Sequence, residues 1–172
     1  VEYPELKVAL FEGTDALTVE MAKKTIGWRE VAVDGPNVLL TDHAGKFIVC
    51  DRNMGNRPFR PKDSEHVQQE LLNGRWRLNG ETVIIGEYGS TLSAQHRLTG
   101  LVLAEQRRQG WVNGKHDPEE ERHWKDKWPG PLTMETFVVY GVKEDPDVIR
   151  TLDNGVPRDL TDIVYTSGLF AS

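Results

Sequence analysis

A single cysteine, Cys50, stands in the whole chain, so an intramolecular disulfide and a thiolate metal cluster are both excluded. Such sparing use of cysteine suits a reducing compartment. Long apolar runs are also missing: none approaches the roughly 18 residues that span a bilayer, and the first residues do not read as a secretory leader. A cytoplasmic protein is expected. Basic charge is in deficit, with 21 Lys and Arg against 27 Asp and Glu and a net charge of −6. That excludes a generally basic coat for nucleic acid and leaves only a local patch for any DNA contact. Common fingerprints are absent too: no Gly-x-x-x-x-Gly-Lys-Ser/Thr phosphate loop, no Gly-x-Gly-x-x-Gly, and no Gly-x-Ser-x-Gly elbow. A hydrolase triad from Ser93, His96 and Asp153 is therefore not expected. His116 and His123 have neither His-Glu-x-x-His nor paired-cysteine spacing, so no metal site is expected.

What is present suffices for a core, since 38% of the 172 residues are hydrophobic. Thr18 can cap a helix over Val19–Ile26, ended by Gly27. Val38-Leu39-Leu40 and Phe47-Ile48-Val49 flank Asp42-His43-Ala44-Gly45, the pattern of a β-hairpin. Residues 1–55 thus read as an N-terminal helix and hairpin extension. Pro61 and Asp63 open a helix to Asn73, closed by Gly74, with Val67 and Leu71 on one face. Thr82-Val83-Ile84-Ile85 is a continuous β-branched run, as in a buried strand. An amphipathic helix follows over 94–109 through Leu98, Leu101 and Val102. Thr136-Phe137-Val138-Val139-Tyr140 is a second such strand, expected in the same sheet with that helix across it. Between them, residues 111–131 form a polar, Trp-rich insertion pinned by Trp124 and Trp128. Short helices are expected over 146–152 and 159–166, around a turn at Asp153-Asn154-Gly155. The fold class is α+β, in one domain. The Val start and residues 166–172 read as part of a longer protein.

The most informative stretch is 56–106. A buried strand enters a tight turn that delivers Ser93-Ala94-Gln95-His96-Arg97 to a helix start. Free backbone N–H groups and the positive dipole end gather there, and Arg and His add donors, which suits phosphate or another anion. The alternative is that Ser93 is only an N-cap and that Gln95, His96 and Arg97 are solvated.

These pieces, taken in order, resemble the ParB/sulfiredoxin-like superfamily in its phage and mobile-element form. They are Asn56-Arg57-Pro58, a helix, Asn79-Gly80-Glu81, the strand from Thr82, and Leu92-Ser93-Ala94-Gln95-His96-Arg97-Leu98. Downstream, Phe137-Val138-Val139-Tyr140-Gly141 and Asp153-Asn154-Gly155-Val156-Pro157-Arg158 continue the resemblance, which covers about residues 56–166. It implies a small mixed sheet with flanking helices. It also implies a nucleoside triphosphate, CTP or ATP with Mg²⁺, and work on or near DNA in a phage, plasmid or bacterial setting. A homodimer is within its compass. Carried over, Ser93, Gln95, His96 and Arg97 form the phosphate side and Arg57 a second cationic contact. Of the carboxylates Glu70, Glu81 and Glu87, Glu81 is favoured for metal or catalysis. Arg97 is expected to face a pocket between the 89–93 turn and Asn56-Arg57.

The chain departs from the pattern at Ser93, where Asp is usual, and at Ala94, where Gly is usual. Gln95 stands where sulfiredoxins carry their catalytic Cys, so sulfinic-acid reduction is not expected. A phosphotransferase or nuclease on this scaffold, or a regulatory module without nucleotide, remain alternatives. Arg75-Trp76-Arg77 reads in two ways: a nucleic-acid contact with Trp76 stacked on a base, or a Trp that closes the core.

Overall fold

The computed structural model describes residues 6–53 and 56–152. In chain order these form β1 (Lys7–Phe11), β2 (Leu17–Thr18), α1 (Val19–Ile26), β3 (Trp28–Val31), β4 (Leu40–Thr41), β5 (Phe47–Cys50) and α2 (Pro61–Leu72). Then come β6 (Thr82–Gly86), β7 (Thr91–Ser93), α3 (Gln95–Arg108), β8 (Trp111–Val112), β9 (Lys115–His116), α4 (Pro118–Lys127), β10 (Thr133–Met134), β11 (Thr136–Val142) and α5 (Pro146–Leu152). The α+β class holds.

A four-stranded sheet of order β1-β11-β6-β7 positions everything else. At its centre β6 and β11 run parallel, with Val83 beside Val138. β1 flanks β11 antiparallel, with Val8 opposite Val139, and β7 flanks β6 antiparallel. The β-branched run of β6 is continuous because both of its faces are covered. On one face Val83 and Val138 share a core with Leu98, Leu101 and Val102 of α3, as the spacing predicts. On the other, Ile84, Val139 and Val142 meet Val148, Ile149 and Leu152 of α5.

Helices α2 and α3 lie side by side and run in the same direction, with the Ser64 and Thr99 hydroxyls 3.1 Å apart. Gly100 permits that approach, since a Cβ there would fall 2.6 Å from Val67 Cγ1. α1 packs on α3 and places Ala22 and Ile26 in the larger core. Thr18 caps α1, its hydroxyl accepting the Met21 N–H at 3.2 Å, and Gly27 ends it at φ 73°. The expected hairpin is present, with Leu40 opposite Ile48, and β3 joins it as a third strand. The two parts that the sequence divides after residue 55 share the main sheet, through β1.

The polar insertion carries a small β8–β9 hairpin and α4, whose N-terminus is capped by the Asp117 carboxylate. Its tryptophans anchor it: Trp124 is buried, and Trp128 Nε1 donates to the Leu72 carbonyl at 2.7 Å. Beneath it Glu105 and Arg108 form a buried bidentate pair at 2.8 and 2.9 Å. Among the described residues no helix is long and apolar enough to cross a membrane. The helix expected over 159–166 and the Asp153 to Arg158 segment lie outside the described residues.

Candidate functional site

The N-termini of α2 and α3 meet. The Arg60 N–H, at the start of α2, donates to His96 Nε2 in the first turn of α3 at 2.9 Å. Neither helix has a capping side chain. The N–H groups of Gln95, His96 and Arg97 have no acceptor among the described residues. Two positive dipole ends therefore converge on one place, with free donors and with Arg57 and Arg60 exposed beside them. An anion is the complementary ligand for such an arrangement.

Ser93 does not cap α3, because it is the last residue of β7 and pairs with Ile84. The N-cap is Ala94, at φ 85° and ψ 23°, a left-handed conformation that glycine adopts freely and alanine resists. The turn from strand to helix demands this backbone whatever the side chain. Ala94→Gly is accordingly expected to stabilise the fold by about 1 kcal/mol, as read by urea denaturation.

Gln95 is buried and faces the Asn-Arg-Pro segment. Its Oε1 accepts from Asn53 Nδ2 at 2.9 Å, and its Nε2 donates to the Arg57 carbonyl at 2.6 Å. Asn56 completes the clamp by donating to Asn53 Oδ1 at 2.7 Å and to the Thr91 carbonyl at 2.6 Å. His96 stacks on Phe59 with ring centroids 5.2 Å apart. Burial pushes the His96 pKa below its ordinary value; Asp63 opposes this, while Arg57, Arg60 and Arg97 add to it. A ring that accepts at Nε2 carries its proton on Nδ1 and is neutral. With a depressed folded pKa, its contribution to stability is complete above the unfolded value of 6.5 and is lost as pH falls through the folded one. NMR titration of the imidazole should give a midpoint below 6.5, with stability declining over the same acidic range.

Arg97 does not face the 89–93 turn. Successive helical residues are about 100° apart, so Arg97 lies roughly 200° around α3 from Gln95 and points to the sheet. There Nη2 donates to the Thr82 carbonyl at 2.7 Å, and Nε is 3.9 Å from Glu81 Oε2. Its Nη1 is buried without a partner, and burial lowers its pKa. Glu81 is thus drawn to Arg97, and Glu70 pairs with Arg75 at 3.1 Å. No group of three or more His, Cys, Asp or Glu among the described residues could hold a metal ion.

Around Trp76 the geometry matches core closure. Trp76 Nε1 donates to the Glu135 carbonyl at 3.0 Å and its ring packs on the larger core. Arg77 donates to the Gly74 and Trp76 carbonyls, which leaves Arg75 and Arg77 as an exposed rim. Burial, with Asp51 adding, raises the Cys50 pKa to about 12, so it stays a thiol.

Asn53, Phe59 and Arg60 were not among the site residues expected from sequence. Pro61 at a helix's first position was the available signal, since it makes Arg60 the N-cap. Comparison of the chain with protein-family models, curated proteins and solved structures found no match.

Proposed function

We propose that this chain is a ParB-like nucleotide-binding domain that works on or near DNA, with the phosphates of a nucleoside triphosphate seated where α2 and α3 begin. The observation that carries the reading is the junction itself: two uncapped helix N-termini joined by the Arg60 to His96 hydrogen bond, with unpaired N–H groups and two exposed arginines beside them. The N–H groups of residues 95–97 take phosphate oxygens, and Arg57 and Arg60 supply the charge. Gln95 and neutral His96 are positioning residues that hold the Asn-Arg-Pro segment against α3. Arg97 braces α3 on β6. CTP and ATP are the nucleotides the resemblance favours, with Mg²⁺ arriving on the phosphates. DNA contact falls to exposed arginines such as Arg75 and Arg77, and is weak and salt-sensitive at this net charge.

A regulatory module without nucleotide is the second reading. It is favoured by Ala94, whose Cβ stands at the helix start where the family has none. Calorimetric titration separates the two. Arg60→Ala is expected to weaken triphosphate binding roughly tenfold to a hundredfold, with folding unchanged. Equal affinity in the wild type and the variant would remove the phosphates from this junction.

A further inference from the structure

A hollow of about 530 Å³ opens at the carboxyl ends of β6 and β11, away from the helix junction. None of Arg57, Arg60, Gln95 and His96 lines it. Its floor is the Tyr140 ring and Ile85, both at the margin of the larger core. Glycines form the wall: Gly86 at the end of β6, Gly89 in the β6–β7 turn, and Gly141 on β11. At Gly141 the β6–β11 register breaks and φ is 79°, so the strand bulges where the hollow opens. A glycine bulge at such a point lets a ligand approach the backbone.

Three residues of the lining carry polar side-chain groups: Lys7, Glu87 and Tyr140. Their side chains make no hydrogen bond or ion pair among the described residues. Lys7 and Glu87 carry opposite charges at one hollow and yet do not pair with each other. A nucleotide is a poor match for the site, because Lys7 is the one basic residue of the lining and Glu87 repels several phosphate charges. A ligand with one charge of each sign satisfies both groups.

We propose that this hollow binds a zwitterionic molecule of dipeptide size, its carboxylate on Lys7, its ammonium on Glu87 and its apolar body on Ile85 and the Tyr140 ring. The volume lies within the range of small-molecule sites, roughly 300–1,000 Å³. The Tyr140 hydroxyl, as donor and acceptor, serves the peptide group between the charges.

The test is an amide NMR titration of the whole chain with glycyl-leucine, its N-acetyl form and its C-terminal amide. Glycyl-leucine should shift the Gly86, Gly89 and Gly141 amides, and each blocked form should bind about tenfold more weakly. Lys7→Met should abolish discrimination between acid and amide, and Glu87→Gln that between free and acetylated termini. Both side chains are exposed and unpaired, so the variants keep the fold. Three results would overturn the proposal: no shift of those glycines at millimolar peptide, equal binding of the blocked forms, or unchanged discrimination in the two variants.

Discussion

Replacing Glu105 with alanine should destabilise the fold by about 3–5 kcal/mol, the range for leaving one partner of a buried ion pair alone. The Glu105 carboxylate takes the Arg108 fork at 2.8 and 2.9 Å, the Leu132 N–H at 3.0 Å and Gln109 Nε2 at 2.8 Å. Both side chains are more than nine-tenths buried, at 8% and 7% exposure, so water cannot substitute. At roughly 2–4 °C per kcal/mol for a chain of this size, Tm should fall by roughly 6–20 °C. Glu105→Gln, which keeps an acceptor for Leu132, should lose less. Burial alone would raise the Glu105 pKa, but hydrogen bonds from Arg108, the Leu132 N–H and Gln109 hold it below the usual carboxylate value. A depressed folded pKa means that this stabilisation is present above the unfolded value of 4.5 and disappears as pH falls through the folded one. The gap between wild type and Glu105→Ala should therefore narrow in acid. A gap that is constant with pH would show that the carboxylate's charge is not what holds the pair.

The second large effect belongs to Arg97. Arg97→Ala should cost about 2–4 kcal/mol of stability, from a lost charge-assisted hydrogen bond to the Thr82 carbonyl and from lost packing between α3 and β6. Nucleotide affinity of the folded variant should change little. Arg60→Ala should behave in the opposite way. Denaturation and titration of the two variants side by side read this directly. An Arg97→Ala protein of wild-type stability that no longer binds nucleotide would make Arg97 a ligand contact.

The contrast marks where sequence stops being legible. Thr82-Val83-Ile84-Ile85 and Thr136-Phe137-Val138-Val139-Tyr140 announce buried strands because β-branched runs without alternation fit a sheet covered on both faces. Thr18 and Gly27 mark α1 because caps are local chemistry. By contrast β1 carries no comparable local signal. It is a strand because Val8 pairs with Val139 more than a hundred residues away, and that register is a tertiary fact. Likewise the helix start at 94–97 is readable, but the direction of its side chains is not. Gln95 and Arg97 are two residues apart on one motif and face opposite ways, one to the Asn-Arg-Pro segment and one to the sheet. Arg60 was hidden for a related reason: the arginine that meets α3 is set by where α2 begins.

The most direct measurement of the central claim is a thermal-shift panel of CTP, ATP, GTP and ADP, each with and without Mg²⁺. A ligand at a hundred times its Kd adds about 2.7 kcal/mol to folding stability. For a chain of this size that raises Tm by roughly 5–11 °C. A nucleotide site at the α2–α3 junction predicts such a rise with a triphosphate, CTP or ATP, and its loss in Arg60→Ala; an unchanged Tm with every nucleotide, with or without Mg²⁺, would contradict it.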